Sequence, residues 1–264
     1  MKILITGVTS GLGRAMAERL SGEGHTVYGT FRRESGEIPG VRYLKADVLD
    51  EESVKAAVSA MLENEGRIDV FINNAGMGIG GPLQCLPTEL VNRQMEVNFM
   101  GLVRFLRYVL PSMSARKQGK IICISSIGGL MGLPFQGAYS ASKFAVEGYC
   151  ESLRIELKPF NISVTTVNPG DFATAFTSNR IKLNHEDVVR LYPGYARSME
   201  SIERDEKSGL DPRRLARKVS RIVMKPHPAT RYIVAAPVQK MSLVLKRVLP
   251  PELFERILAS YYKL

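Results

Sequence analysis

Lys2-Ile3-Leu4-Ile5-Thr6-Gly7-Val8-Thr9-Ser10-Gly11-Leu12-Gly13 decides how the rest of this chain is read. A short apolar run leads straight into a glycine-rich turn, and the turn opens an amphipathic helical pattern. Gly7, Gly11 and Gly13 lack the Cβ atoms that would hold backbone amides away from a ligand. A helix that begins at such a turn directs N–H groups and a partial positive charge at an incoming pyrophosphate. A glycine-rich turn alone says little, and this spacing departs from G-x-G-x-x-G. Its place between a strand and a helix is what gives it meaning.

The same alternation continues downstream. Strands are expected over 3–6, 26–31, 41–44, 70–73, 121–125, 163–167 and 232–235. Helices are expected over 11–21 and 51–62, within 88–113, around Tyr139 and Lys143, and over 212–224 with Asp211 as N-cap. Strand and helix in turn predict an α/β fold, a doubly wound Rossmann-type parallel sheet in a single domain. Residues 172–210 lack strand alternation and are polar, which suggests a long connection with short helices acting as a lid. The expected division is a dinucleotide-binding catalytic body over 1–237, including that lid, and an amphipathic extension over 238–264. There is no internal repeat and no low-complexity stretch.

At 264 residues and 45% hydrophobic content the chain can bury one large core. The N-terminal apolar run is too short for a signal-peptide core, and no uncharged run is long enough to span a bilayer. Cys85, Cys123 and Cys150 are scattered and odd in number, which suits reduced thiols in a cytoplasmic protein. The net charge of +10 is unevenly spread. Residues 204–264 hold 14 Lys/Arg against 5 Asp/Glu, leaving 22 against 21 for everything before. No zinc-ligand spacing or aromatic-basic motif accompanies that excess, so nucleic acid is not the expected partner. A solvated basic face and attraction to an anionic membrane surface, the inner surface of the cell membrane, both remain open.

The tail bears on that choice. Met241, Val244, Leu245, Val248 and Leu249 recur at helical spacing, with Lys240, Lys246 and Arg247 off the stripe. Pro250 and Pro251 interrupt, and Leu253, Phe254, Ile257, Leu258 and Tyr261 form a second stripe. These stripes pack on the body or on a second subunit, or they lie in the headgroup region of a membrane.

Chemistry concentrates in Tyr139-Ser140-Ala141-Ser142-Lys143, where a phenol and an ammonium share a helical face at i and i+4. Two unit charges ~4 Å apart at an effective dielectric of ~20 interact by about 4 kcal/mol, enough to bring a phenol from about 10 towards neutrality. A surface Tyr/Lys pair is the alternative. Tyr139-x-x-x-Lys143, with Ser126 upstream and Thr6-Gly7-x-x-x-Gly11-x-Gly13 near the start, resembles the short-chain dehydrogenase/reductase family over 2–237.

That resemblance implies an oxidoreductase moving hydride between a nicotinamide cofactor and a carbonyl or alcohol carbon. Tyr139 would be the proton donor and Ser126 would orient the carbonyl, with Ser125 as the alternative. Lys143 would also hold the nicotinamide ribose. Asn98 would hold a water connecting Lys143 to solvent, or would merely bend its helix. The cofactor would rest on Gly7, Thr9, Ser10, Gly11, Leu12 and Gly13, with Asp47 and Val48 at the adenine. Asn74, Ala75 and Gly76 of an NNAG motif complete that cradle, and Pro169, Gly170 and Thr174 lie beside the carboxamide. At the end of the second strand stand Arg32 and Arg33 where an NAD enzyme would carry an acid, so NADP(H) is expected, unless both arginines are simply solvated.

Met77, Leu130, Met131, Leu133, Pro134, Phe135, Phe172 and Phe176 suggest an apolar substrate wall suited to a hydrophobic ketone. The stretch from Gly132 to Leu153 looks similar to hydroxysteroid and retinol dehydrogenases and to ketosphinganine-type reductases. His25, His185 and His227 show no metal-ligand spacing, and no metal is expected. A homo-oligomer is expected. A catalytically idle NADP-binding sensor on the same fold is the alternative from another class.

Overall fold

The computed structural model describes residues 1–32, 37–183, 186–262 and 264. Strands β1 (Lys2–Ile5), β2 (Thr26–Phe31), β3 (Val41–Lys45), β4 (Val70–Asn73), β6 (Gly119–Ile124), β7 (Ile162–Pro169) and β9 (Arg231–Val234) form one sheet of order β3-β2-β1-β4-β6-β7-β9. Every pairing in it is parallel. The chain builds outward from β1 to β3, crosses back, and builds outward again from β4. The strand order therefore reverses between β1 and β4, where a parallel sheet opens a crevice at its C-terminal edge.

Strand pleating divides the core. Ile3, Ile5, Val70, Ile72 and Ile122 face Met16 and Leu20 of α1 (Gly11–Gly22) and Leu215, Val219 and Val223 of α8 (Pro212–Met224). Leu4, Phe71, Ile121 and Cys123 face the other way, onto α2 (Glu51–Glu65), α4 (Gly101–Ala115) and α5 (Gly137–Glu156). Both faces are covered, which is why these strands read as unbroken apolar runs. Asp50 caps α2 by accepting from the amides of Glu52 and Ser53, and Asp211 caps α8 by accepting from Arg213, as the sequence predicts for α8. Cys123 and Cys150 are buried free thiols.

Three features differ from the sequence reading. The helical region within 88–113 is broken into α3 (Thr88–Met95), a π turn at Glu96–Met100 and α4. Buried Asn98 causes the break, because its side chain bonds sideways to Met77 and Ser142. Residues 172–210 hold a two-residue strand β8 (Ile181–Lys182) paired with β5 (Ile79–Gly80), besides α6 (Glu186–Leu191) and α7 (Tyr195–Lys207). Phe172 and Leu210 pair at the neck of this excursion.

The tail forms α9 (Pro237–Val248) and α10 (Pro251–Tyr261). Leu243, Leu245, Leu249 and Leu258 pack against Ile127, Met131, Ala235 and Phe254. Val238, Met241, Val244, Val248, Leu253 and Ile257 stay exposed. One side of the pair thus packs on the body, while Val244, Val248 and Leu253 face out. No helix among the described residues is long and apolar enough to cross a membrane.

Candidate active site

A cavity of about 860 Å³ opens at the C-terminal ends of β1, β4, β6 and β7, the place the strand order marks out. Its floor is the glycine turn. Gly7 has φ 70° and Gly11 φ 55°, in the left-handed region that glycine tolerates. A Cβ on Gly13 would stand 2.0 Å from the Gly7 carbonyl oxygen and 2.5 Å from Asn74 Nδ2, so backbone and amide leave no room for one. Asn74 Nδ2 donates to the carbonyls of Thr6 and Gly7, while Thr6 Oγ1 accepts from the amides of Asn74 and Ala75. The NNAG segment and the glycine turn are therefore one locked unit, a cradle that fits a pyrophosphate.

Thr9, Ser10, Leu12, Arg32, Asp47, Val48, Ala75, Gly76, Pro169, Gly170 and Thr174 line the same cavity. Thr174 sits against Gly11, 3.3 Å from where a Cβ would be. Arg32 is exposed at the rim, and Arg33 lies outside the described residues. Ser126, Tyr139 and Lys143 lie on the wall too. Asn98 does not. It is 1% exposed and clamps Met77 by accepting from its amide (2.8 Å) and donating to its carbonyl (3.0 Å).

The electrostatics depart from the expectation that Lys143 brings Tyr139 towards neutrality. Burial pushes the Tyr139 phenol up to about 12, with a hydrogen bond from Ser126 working the other way. Burial also holds Lys143 down at about 8. Its Nζ donates to the Ile124 carbonyl at 3.0 Å and lies 5.9 Å from the centre of the Tyr139 ring. The two groups share a face, but loss of water costs both charged forms more than their mutual attraction returns. A phenol held protonated is suited to giving a proton to an oxygen that gains charge.

Met77, Met131, Leu133, Phe172 and Phe176 form an apolar wall, Phe176 with its ring centre 5.7 Å from that of Tyr139. Leu130, Pro134 and Phe135 are not on this wall. Phe135 takes φ 58° and turns its ring edge-on to Tyr192 and Tyr195. The tail supplies a surface that the sequence reading left off the site, namely Val238, Met241, Leu245, Phe254, Ile257 and Leu258. Asp171, Asp205 and Glu206 add a polar side, and Asp171 is pushed up to about 6 by burial and by the other two carboxylates. Nothing in the spacing of these acids announced their meeting. Buried Glu147 was also missed by the sequence reading, although its place four residues beyond Lys143 on the same helix is a signal that could have found it. Among the described residues no three His, Cys, Asp or Glu side chains are grouped to hold a metal ion.

A family model described as short chain dehydrogenase matches residues 1–184. A 3-ketodihydrosphingosine reductase of Bacteroides thetaiotaomicron is 47% identical over 264 residues, covering 98% of this chain and 97% of the relative. The 17-beta-hydroxysteroid dehydrogenase type 1 of Homo sapiens is 35% identical over 251 residues, covering 87% of this chain and 76% of the relative. Among solved structures, an actinorhodin polyketide ketoreductase variant with NADPH superposes with a TM-score of 0.76 at 28% identity, covering 90% of this chain and 97% of the other.

Proposed function

The chain belongs to the short-chain dehydrogenase family and is an oxidoreductase acting on keto or hydroxyl groups, and on that premise we propose that it moves hydride between NADP(H) and the carbonyl carbon of a long-chain, lipid-like ketone. The observation that carries this reading is one cavity joining the glycine cradle, the Ser126, Tyr139 and Lys143 side chains and an apolar wall. When bound, the nicotinamide supplies or accepts the hydride. The residues of the chain do the rest.

Gly7 to Gly13 and Asn74 to Gly76 would hold the pyrophosphate, Asp47 and Val48 the adenine end, and Pro169, Gly170 and Thr174 the carboxamide. Ser126 Oγ orients the substrate carbonyl. Tyr139 donates its phenolic proton to that oxygen as negative charge develops, and the Lys143 ammonium then stabilises the phenolate left behind. Asn98 acts from behind the wall by holding Met77 and the π turn. Arg32, with Arg33, would pair with the 2′-phosphate and so select NADP(H). Residues 172–210 cover the substrate as a lid. The extension over 238–264 seats its exposed stripe and basic residues reversibly on an anionic membrane surface, which suits the lipid-related name of the 47% identical relative.

The test follows NADPH or NADH consumption at 340 nm with ketosphinganine, steroid, retinal and acyl-ketone substrates, for the wild type and Arg32→Ala. The reading expects turnover of a long-chain ketone and a kcat/KM preference for NADPH that falls in the variant. Equal kcat/KM values for the two cofactors in the wild type would exclude the NADP(H) assignment. Cofactor binding with no turnover of any carbonyl would leave a sensor in place of an enzyme.

A further inference from the structure

Tyr139, Lys143 and Glu147 stand at successive i, i+4 steps on one face of α5. Glu147 is 5% exposed and touches neither the cavity nor the reacting groups. Its Oε1 accepts from Asn168 Nδ2 at 2.7 Å. Its Oε2 accepts from Thr166 Oγ1 at 3.1 Å and from Arg231 Nη2 at 2.8 Å. The same Asn168 Nδ2 donates to the Ser126 carbonyl at 2.9 Å. A carboxylate only accepts, so this chain of bonds has one polarity throughout.

Asn168 is fully buried and leaves its Oδ1 without a partner. The position is thus used for its Nδ2, which bridges Glu147 on α5 and the backbone of Ser126 beyond β6. Turning the amide over would set Oδ1 against a carboxylate and a carbonyl at once.

Lys143 donates to the Ile124 carbonyl and lies near the Tyr139 ring, and the Cys123 thiol and the Glu147 carboxylate act on it through space. A hydrogen bond with Cys150, together with burial, pushes the Cys123 thiol up and keeps it neutral. Glu147 therefore supplies the negative charge that opposes loss of the Lys143 proton. Facing Glu147 itself are Arg231 on β9, Thr166 and Asn168 on β7, and Lys143 on its own helix.

We propose that Glu147 is a positioning residue for the reaction: through Asn168 it fixes the backbone that carries Ser126, and from one helical turn away on α5 it sets a carboxylate behind Lys143. This rests on the reading of Ser126, Tyr139 and Lys143 given above.

The test is Glu147→Gln, which keeps the shape and removes the charge. The Lys143 ¹³Cε shift is followed against pH by NMR on the labelled protein alone, and kcat is followed against pH with NADPH and the preferred ketone. The Lys143 midpoint and the alkaline limb of kcat should both move down by about one pH unit. At the optimum kcat should fall about tenfold or more while KM for the ketone changes less than about twofold. Glu147→Asp, which restores the charge, should return the limb towards the wild type. Arg231→Met frees the carboxylate from its cation, should leave the Lys143 midpoint in place or raise it, and decides the matter if Glu147→Gln does not fold. A Lys143 midpoint unchanged in Glu147→Gln, or lowered in Arg231→Met, overturns the proposal. The NMR titration needs no turnover, so an absence of carbonyl reduction would count against the proposed reaction and leave the charge coupling to be decided on its own.

Discussion

Replacing Asn98 with alanine removes a buried side chain that closes three hydrogen bonds, accepting from the Met77 amide and donating to the Met77 carbonyl and Ser142 Oγ. The losses are unequal. The Met77 carbonyl keeps Gln94 Nε2 at 2.8 Å, and Ser142 Oγ keeps its own bond to the Tyr139 carbonyl at 2.7 Å. Only the Met77 amide is left without a partner. A donor orphaned in a dry core costs about 1–3 kcal/mol, but Met77 is only partly buried, so the low end applies, and with the space vacated by the amide the expected loss is about 2 kcal/mol. For a chain of this length that lowers Tm by about 4–8 °C. Scanning calorimetry and urea midpoints at pH 7 measure it directly. Asn98→Leu fills the volume without serving the amide and should be no more stable than Asn98→Ala. A loss below about 1 kcal/mol in Asn98→Ala would refute the argument that this side chain ties Met77 to the π turn at Glu96–Met100.

Three further outcomes are expected. Tyr139→Phe removes only the phenol oxygen, so turnover should fall about a hundredfold or more with NADPH affinity nearly intact, and retention of a tenth of the wild-type rate would exclude Tyr139 as the principal acid. Asp171 has a folded pKa of about 6 against an ordinary 3.8, so it favours folding when protonated, and that contribution is lost as pH rises through about 6. Asp171→Asn cannot ionise and still accepts from Gln239 Nε2; it should gain about 2 kcal/mol over the wild type at pH 8 and almost nothing at pH 4, and equal Tm values across that range would count against the burial of this charge. Val244→Glu with Val248→Glu alters two exposed positions of α9 and should abolish flotation with anionic vesicles at low salt while sparing reduction of a short soluble ketone; equal flotation of both proteins would assign the stripe to another role.

The middle of the sheet was legible because both of its faces are covered there, which turns β1, β4 and β6 into short apolar runs bounded by turn residues. The cradle was legible because Gly7, Gly11 and Gly13 answer to a backbone geometry that only a missing Cβ allows. What the sequence could not show were consequences of burial and of distant meetings. Two unit charges at a fixed distance predict a lowered Tyr139, but the phenol and Lys143 are both removed from water, and that effect dominates. Phe135 sits in an apolar stretch that reads as substrate wall, yet its backbone turns it away. The β5 and β8 pairing spans two residues on each side, too few for any periodicity. In the tail, spacing identified the stripes but could not say that Leu245 would face the body while Val244 and Val248 face out.

The neck at Phe172 and Leu210 makes the intervening segment an interchangeable cassette. Leu210 donates to the Asp171 carbonyl at 2.9 Å, and Ala173 donates to the Leu210 carbonyl at 3.1 Å, so the chain leaves the sheet and rejoins it at a single point. Closing a loop whose ends already touch grows more costly only slowly with its length. Segments of different length can therefore be exchanged between Thr174, which packs on Gly11 of the cradle, and Leu210 without altering strand order. Such an exchange would change what lies over the cavity while the strand ends that form its floor stay the same.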